Sequence, residues 1–121
     1  MGMIGKLSVI VLDCPDPKAL AEFYSQLLGK PITRVEDDWV TLAGDETPHL
    51  AFQLAPDHVP PQWPDAKHPQ QVHLDIDIER ADLPAAEAKV LALGATKLPG
   101  GGDNFTVYAD PAGHPFCFCY E

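Results

Sequence analysis

One ordered pattern occurs twice along this chain, and it constrains the fold more than any single residue does. In the first half, the β-branched run Lys6–Asp13 leads into Asp16-Pro17, a capping residue followed by the residue suited to the first helical position. Leu20, Phe23, Leu27 and Leu28 then recur at helical spacing, and Gly29 and Pro31 end the helix. Three short extended runs follow: Ile32–Glu36, Trp39–Ala43 and His49–Ala55. After the polar, proline-rich stretch 56–71 the order returns. Val72–Ile78 alternates strictly, Leu83, Ala86, Val90 and Leu93 mark a helix closed by Gly94, and Ala95–Leu98, Phe105–Ala109 and Phe116–Tyr120 supply three more strands. Local likeness agrees, with WVTLAGD in the first half facing FTVYADPAG in the second. A long-period repeat decides architecture more firmly than local propensity does. The expectation is an α+β fold of two tandem βαβββ modules, 6–55 and 72–121, joined by linker 56–71 into one domain over residues 1–121. Each helix covers one face of a four-stranded sheet, and the other faces form a curved mixed sheet around a shared cavity.

Composition narrows the partners. Lys and Arg number 8 against 18 Asp and Glu, a net charge of −10, the wrong sign for nucleic acid or an anionic membrane. No apolar run spans a bilayer, and Met1–Val11 lacks a signal-peptide layout. The 3 cysteines, Cys14, Cys117 and Cys119, cannot all pair, and Cys117 and Cys119 would share a strand face. Reduced thiols in a cytoplasm are the expected state.

The doubled βαβββ pattern resembles the vicinal oxygen chelate superfamily, which includes glyoxalase I, extradiol dioxygenases and bleomycin-resistance proteins. The residues that carry the resemblance are Leu12–Pro17, Phe23-Tyr24 with Leu28-Gly29, Pro69–Asp75, and Ala109–Phe116. Together they are most similar to the small glyoxalase-like branch. The resemblance implies metal ligands (His, Glu or Gln) near the start of each module's first strand and on each module's last strand. Carried over, it assigns His73 and, seven positions beyond Asp110, Cys117; alternation adds Gln53. The first strand, between Leu7 and Val9, has no usual ligand. This set suits Mn²⁺, Ni²⁺ or Fe²⁺ poorly, while a thiolate suits Zn²⁺. The expectation is therefore no resident cofactor, with a divalent metal on His73, Gln53 and Cys117 as the alternative.

On the polar face of the second module, His73 reads as a proton carrier and Asp75 as the group that orients it. Alternation alone would also put polar residues there, and Asp77, at the strand end, reads as a turn or cap. Gln53, Trp39, Trp63, Cys117 and Cys119 are candidate pocket residues; Trp63 either stacks on a ligand or latches the linker to the body. His114 reads as a turn residue, and His49, His58 and His68 as loop or edge residues. Gly100–Gly102 has no following Lys-Ser/Thr and opens no helix, so it is a turn and not a phosphate loop.

Three functions compete. The favoured one is a pocket that binds a small organic molecule without the usual metal set. The second is a metal-dependent lyase, isomerase or dioxygenase using His73 and Gln53. The third is sequestration of a cationic, drug-like ligand, as in bleomycin-resistance proteins, which the negative charge would favour. The resemblance also implies a homodimer.

Overall fold

The computed structural model describes residues 4–121 and divides into two compact units, one reaching His58 and one running from Val59 to Glu121. Each is a βαβββ module. In the first, β1 (Val9–Cys14) leads to α1 (Pro17–Leu28), then β2 (Ile32–Val35), β3 (Trp39–Leu42) and β4 (His49–Leu54). The sheet order is β1-β4-β3-β2, with β1 parallel to β4 and the other pairs antiparallel.

The local chemistry of α1 follows the sequence closely. Asp16 accepts the Ala19 N–H at 3.1 Å, and Pro17 opens the helix without a donor to orphan. Gly29, at φ +66°, takes the left-handed cap and donates its N–H to Ser25 O at 2.9 Å. The helix buries Leu20, Ala21, Phe23 and Tyr24, and Tyr24 stacks on Phe52 of β4 with ring centroids 5.6 Å apart. Ile10, Leu12, Leu50, Phe52, Val40 and Leu42 therefore form the helix-side face by register. Val9, Val11, Asp13, Ala51, Gln53, Trp39 and Thr41 take the opposite face.

The second module repeats the plan with β5 (Leu74–Asp77), a 3-10 turn at Arg80–Asp82, α2 (Leu83–Ala92), β6 (Thr96–Lys97), β7 (Phe105–Ala109) and β8 (Pro115–Cys119). Its sheet order is β5-β8-β7-β6, again with the first and last strands parallel. Tyr108, Phe116 and Phe118 form an aromatic cluster with centroids 5.2–5.8 Å apart. The cluster marks the α2 side, because the Tyr108 hydroxyl donates to Glu87 of α2 at 3.0 Å. Lys97 of β6 meets the same carboxylate at 3.1 Å and holds Glu87 below its usual range. Burial, reinforced by Glu87, pushes the Tyr108 phenol up. Among the described residues, no helix is long and apolar enough to cross a membrane.

Two expectations shift in detail. The strand predicted over Val72–Ile78 is shorter, so His73 lies one residue ahead of β5. Stretch 56–71 is more than a tether, and most of it belongs to the second unit. Gln62 N–H donates to His68 O at 2.8 Å, Lys67 N–H to Asp65 Oδ1 at 2.8 Å, and His68 Nδ1 lies 3.1 Å from Asp65 Oδ2. Proline removes backbone donors, so the segment closes on itself through turns instead of a ladder.

The Asp-Pro-Ala-Gly turn after β7 has a structural explanation. Asp110, only 3% exposed, accepts the N–H groups of both Ala112 (2.8 Å) and His114 (3.0 Å) on Oδ1. Gly113 turns at φ +93°, and a Cβ there would collide with Pro60. His114 is thus held by its backbone, as its place in a turn suggests. Asp110→Ala strands two N–H donors and is expected to cost roughly 2–3 kcal/mol in urea unfolding. Asp110→Asn keeps the accepting oxygen and should cost less than half as much.

Candidate functional site

The chemistry gathers on the face of the second sheet turned away from α2. Parallel pairing sets Asp75 beside Cys117 and Asp77 beside Cys119. Antiparallel pairing adds Val107 beside Cys117 and Phe105 beside Cys119. With Phe116 and Phe118 committed to the aromatic core, the period of two turns both thiols to the opposite face. His73 completes the group: its Nε2 lies 3.2 Å from Asp75 Oδ1. One donor atom from each of His73, Asp75 and Cys117 fits within a mutual distance of 4.8 Å.

Asp75 is the hub. Besides facing His73, its carboxylate acts on the thiols of both Cys117 and Cys119, raising both. Cys117 is 3% exposed; burial first, then the Asp75 charge, pushes its thiol up to about 11. Cys119 moves up for the same reasons in the same order. Both are protonated at neutral pH and are not poised nucleophiles.

His73 is gripped from its other side by the proline-rich segment. Its Nδ1 lies 3.1 Å from Gln70 Oε1, and the Trp63 ring stands edge-on to the imidazole at 6.0 Å between centroids and 77° between planes. Trp63 is tied down in turn, its Nε1–H donating to Pro99 O at 2.9 Å. That bond ties the proline-rich segment to the stretch that follows β6. At the ends of β5 and β8, a recess of about 470 Å³ is lined by Asp77, Glu79, Asn104, Cys119 and Tyr120. The Tyr120 ring face is already covered by Arg80, 4.8 Å from its centroid.

Trp39 and Gln53 lie in the first unit as cross-strand partners in one row, with Asp13 beside Gln53 on β1. The Trp39 indole donates to Thr41 Oγ1 at 2.8 Å, and the Arg34 guanidinium sits 5.9 Å from its ring centroid.

A glyoxalase-like domain model matches residues 9–119. The chain belongs to this glyoxalase-like family of the vicinal oxygen chelate superfamily. Solved structures show the same fold. A glyoxalase/bleomycin resistance protein/dioxygenase family enzyme from Burkholderia phytofirmans PsJN is 16% identical, with a TM-score of 0.75 over 96% of this chain and 98% of its own. A glyoxalase-related enzyme from Fulvimarina pelagi is 17% identical at 0.73, over 98% and 89%. The fosfomycin resistance protein FosX from Mesorhizobium loti is 15% identical at 0.71, over 97% and 92%. No curated protein matches the sequence.

The superfamily's ligand positions can now be tested on this glyoxalase-like chain by register. Leu42 pairs with Leu50 in the first sheet and Tyr108 with Phe116 in the second, which makes Leu50 the counterpart of Phe116. Ala51 is then the counterpart of Cys117, and Gln53 that of Cys119. On the first strands, Ile10 pairs with Leu50 and Leu74 with Phe116, so Val9 matches His73 and Val11 matches Asp75. The three donor positions of the second module are Val9, Val11 and Ala51 in the first. His73, Asp75 and Cys117 all lie in the second module, and Asp75 is a residue that position-by-position carry-over did not supply.

Proposed function

We infer that this glyoxalase-like protein binds a small organic molecule at the polar face of its second module, and that His73, Asp75 and Cys117 hold a thiophilic divalent cation there. The observation that supports the reading is the convergence of an imidazole, a carboxylate and a thiol within 4.8 Å. A tetrahedral Zn²⁺ holds its donors about 3.4 Å from one another, given metal–ligand bonds of about 2.0–2.3 Å. His73 and Asp75 already stand at 3.2 Å. Three protein donors also leave a position open, the pattern of catalytic and not of structural zinc. The sulfur donor selects against the oxygen-seeking ions Mg²⁺ and Mn²⁺.

When bound, such an ion supplies Lewis acidity toward an oxygen of the organic ligand. The chain's own residues supply the rest. His73 presents Nε2, steadied by Gln70 and the Trp63 edge. Burial and the Asp75 charge keep the Cys117 thiol protonated at rest, so cation binding must release its proton. The recess beside Cys119 offers room for the organic part, and its Asp77 and Glu79 carboxylates disfavour anionic groups.

The test is calorimetric titration of chelator-treated protein with Zn²⁺, with Co²⁺ as a coloured surrogate. We expect one ion per chain, proton release on binding and a near-ultraviolet thiolate-to-cobalt band. Cys117→Ser should abolish that band, and His73→Ala should weaken the affinity tenfold or more. Absence of binding, or binding indifferent to both substitutions, would overturn the assignment.

A further inference from the structure

We propose that the first module carries a second binding site, for a small aliphatic amino acid, in a cavity of about 220 Å³ at the C-terminal end of α1. The cavity belongs to the first unit and uses no residue of the His73 cluster. Its origin is local. Gly29 and Pro31 stop α1 at Leu28, and this last helical residue lines, with the cross-strand pair Leu42–Leu50, a space the helix does not fill. Leu28 and Leu50 are half-buried and Leu42 is buried, so this part of the lining is apolar. The volume falls below the roughly 300–1,000 Å³ of drug-sized sites, which restricts the cavity to a fragment-sized ligand.

Two side chains of opposite charge line the same cavity, Lys30 and Glu46. Among the described residues neither makes an ion pair or a side-chain hydrogen bond, with each other or elsewhere. Lys30 is half-buried, in a chain where 8 Lys and Arg face 18 Asp and Glu, so carboxylates are not in short supply. Its place is built. Ser25 Oγ donates to Lys30 O at 2.6 Å, and Ala43 N–H donates to Pro31 O at 3.2 Å, which ties the turn after β3 to the chain after α1. The Lys30 side chain lies across Gly44, where a Cβ would come within 2.8 Å of both Cδ and Nζ. A carboxylate answers Lys30, an aliphatic body answers the three leucines, and an ammonium answers Glu46. An aliphatic α-amino acid combines all three. Net charge favours it over a simple acid, because a protein at −10 repels an anion whereas a zwitterion arrives neutral.

The experiment is an amide ¹H–¹⁵N titration of the metal-free protein with L-leucine, isocaproate (the same body without the ammonium) and isoamylamine (without the carboxylate). Leucine should give saturable shifts at Gly44, Glu46 and Leu50 at millimolar concentration. Each truncated ligand should bind about threefold more weakly or worse, as expected when a partly exposed charge loses its partner. Lys30→Gln should weaken leucine binding about fivefold. Gly44→Ala keeps the ammonium but fills its place, and should weaken leucine binding as well. In Glu46→Gln, leucine and isocaproate should bind alike. Lys30 also stands just past the negative end of α1, where a cation steadies a helix. If Lys30→Gln lowers the melting temperature but leaves leucine binding unchanged, that is its whole role and the proposal falls. It falls too if leucine gives no saturable shifts, or if isocaproate binds wild type as tightly as leucine does.

Discussion

Phe118→Ala is expected to lower the unfolding free energy by about 3–5 kcal/mol, the largest stability loss among the substitutions considered. The ring is 1% exposed and sits between Tyr108 (5.2 Å, 67°) and Phe116 (5.8 Å, 79°), with Thr106 and Ile76 as its strand partners. Removing it forfeits the transfer free energy of an aromatic ring and leaves a hole the neighbouring rings cannot close without abandoning their edge contacts. Marginal stability makes such a loss a large fraction of the total. At about 3–5 °C per kcal/mol for a chain of this size, the melting temperature should fall by roughly 10–20 °C. Phe118→Leu, which fills most of the hole, should cost about 1–1.5 kcal/mol. Cys119→Ala, one residue along but on the other face, should cost less than Phe118→Leu. If Phe118→Ala and Cys119→Ala proved equally mild in urea unfolding, the division of β8 into a core face and a site face would be wrong.

The architecture was legible because it rests on signals with short periods and local chemistry. Asp16-Pro17 and Gly29 bracket α1 through hydrogen bonds made within a few residues, and alternation along Val72–Ile78 assigned His73 and Asp75 to the correct side of the sheet. Register was not legible. Alternation has a period of two, so it names a face and cannot distinguish positions two apart on it. Alternation therefore offers Gln53 on the last strand of the first module without fixing its counterpart in the second. The ladder pairs Gln53 with Trp39 and makes Cys119 its counterpart. Neither could the grip on His73 be read, because Gln70 and Trp63 lie in a stretch without periodicity whose turns close through side-chain hydrogen bonds.

Duplication explains why the donors sit on one side. Two copies of a module need the same core but not the same polar face, so the helix-side rows stay apolar in both. Phe52 and Phe118 keep equivalent places, whereas Val9, Val11 and Ala51 stand where the second module has His73, Asp75 and Cys117. Charge on the second face comes with burial of a thiol against a carboxylate, an arrangement that costs stability as soon as that thiol ionises.

That cost makes Cys117 slow to react in the metal-free protein. Moving its thiol from 9.0 to about 11 leaves about a hundredfold fewer thiolates at pH 8. A more basic thiolate is also more nucleophilic, which returns a little under tenfold. The net expectation is iodoacetamide alkylation at least about tenfold slower than in the urea-unfolded chain, with burial slowing it further. Asp75→Asn removes the charge while leaving the burial in place, so alkylation of Cys117 should speed up. The same shift sets a pH window for stability. A thiol raised in the folded state contributes fully below pH 9, and its contribution is lost as the pH climbs toward about 11. Cys119 and Tyr108 are displaced in the same direction, so the comparison that isolates Cys117 is wild type against Cys117→Ala. The variant should lose less stability between pH 9 and 11 in urea titrations. Alkylation of the native thiol at the unfolded rate, or identical pH slopes for the two proteins, would mean that Asp75 and burial do not hold the proton on Cys117.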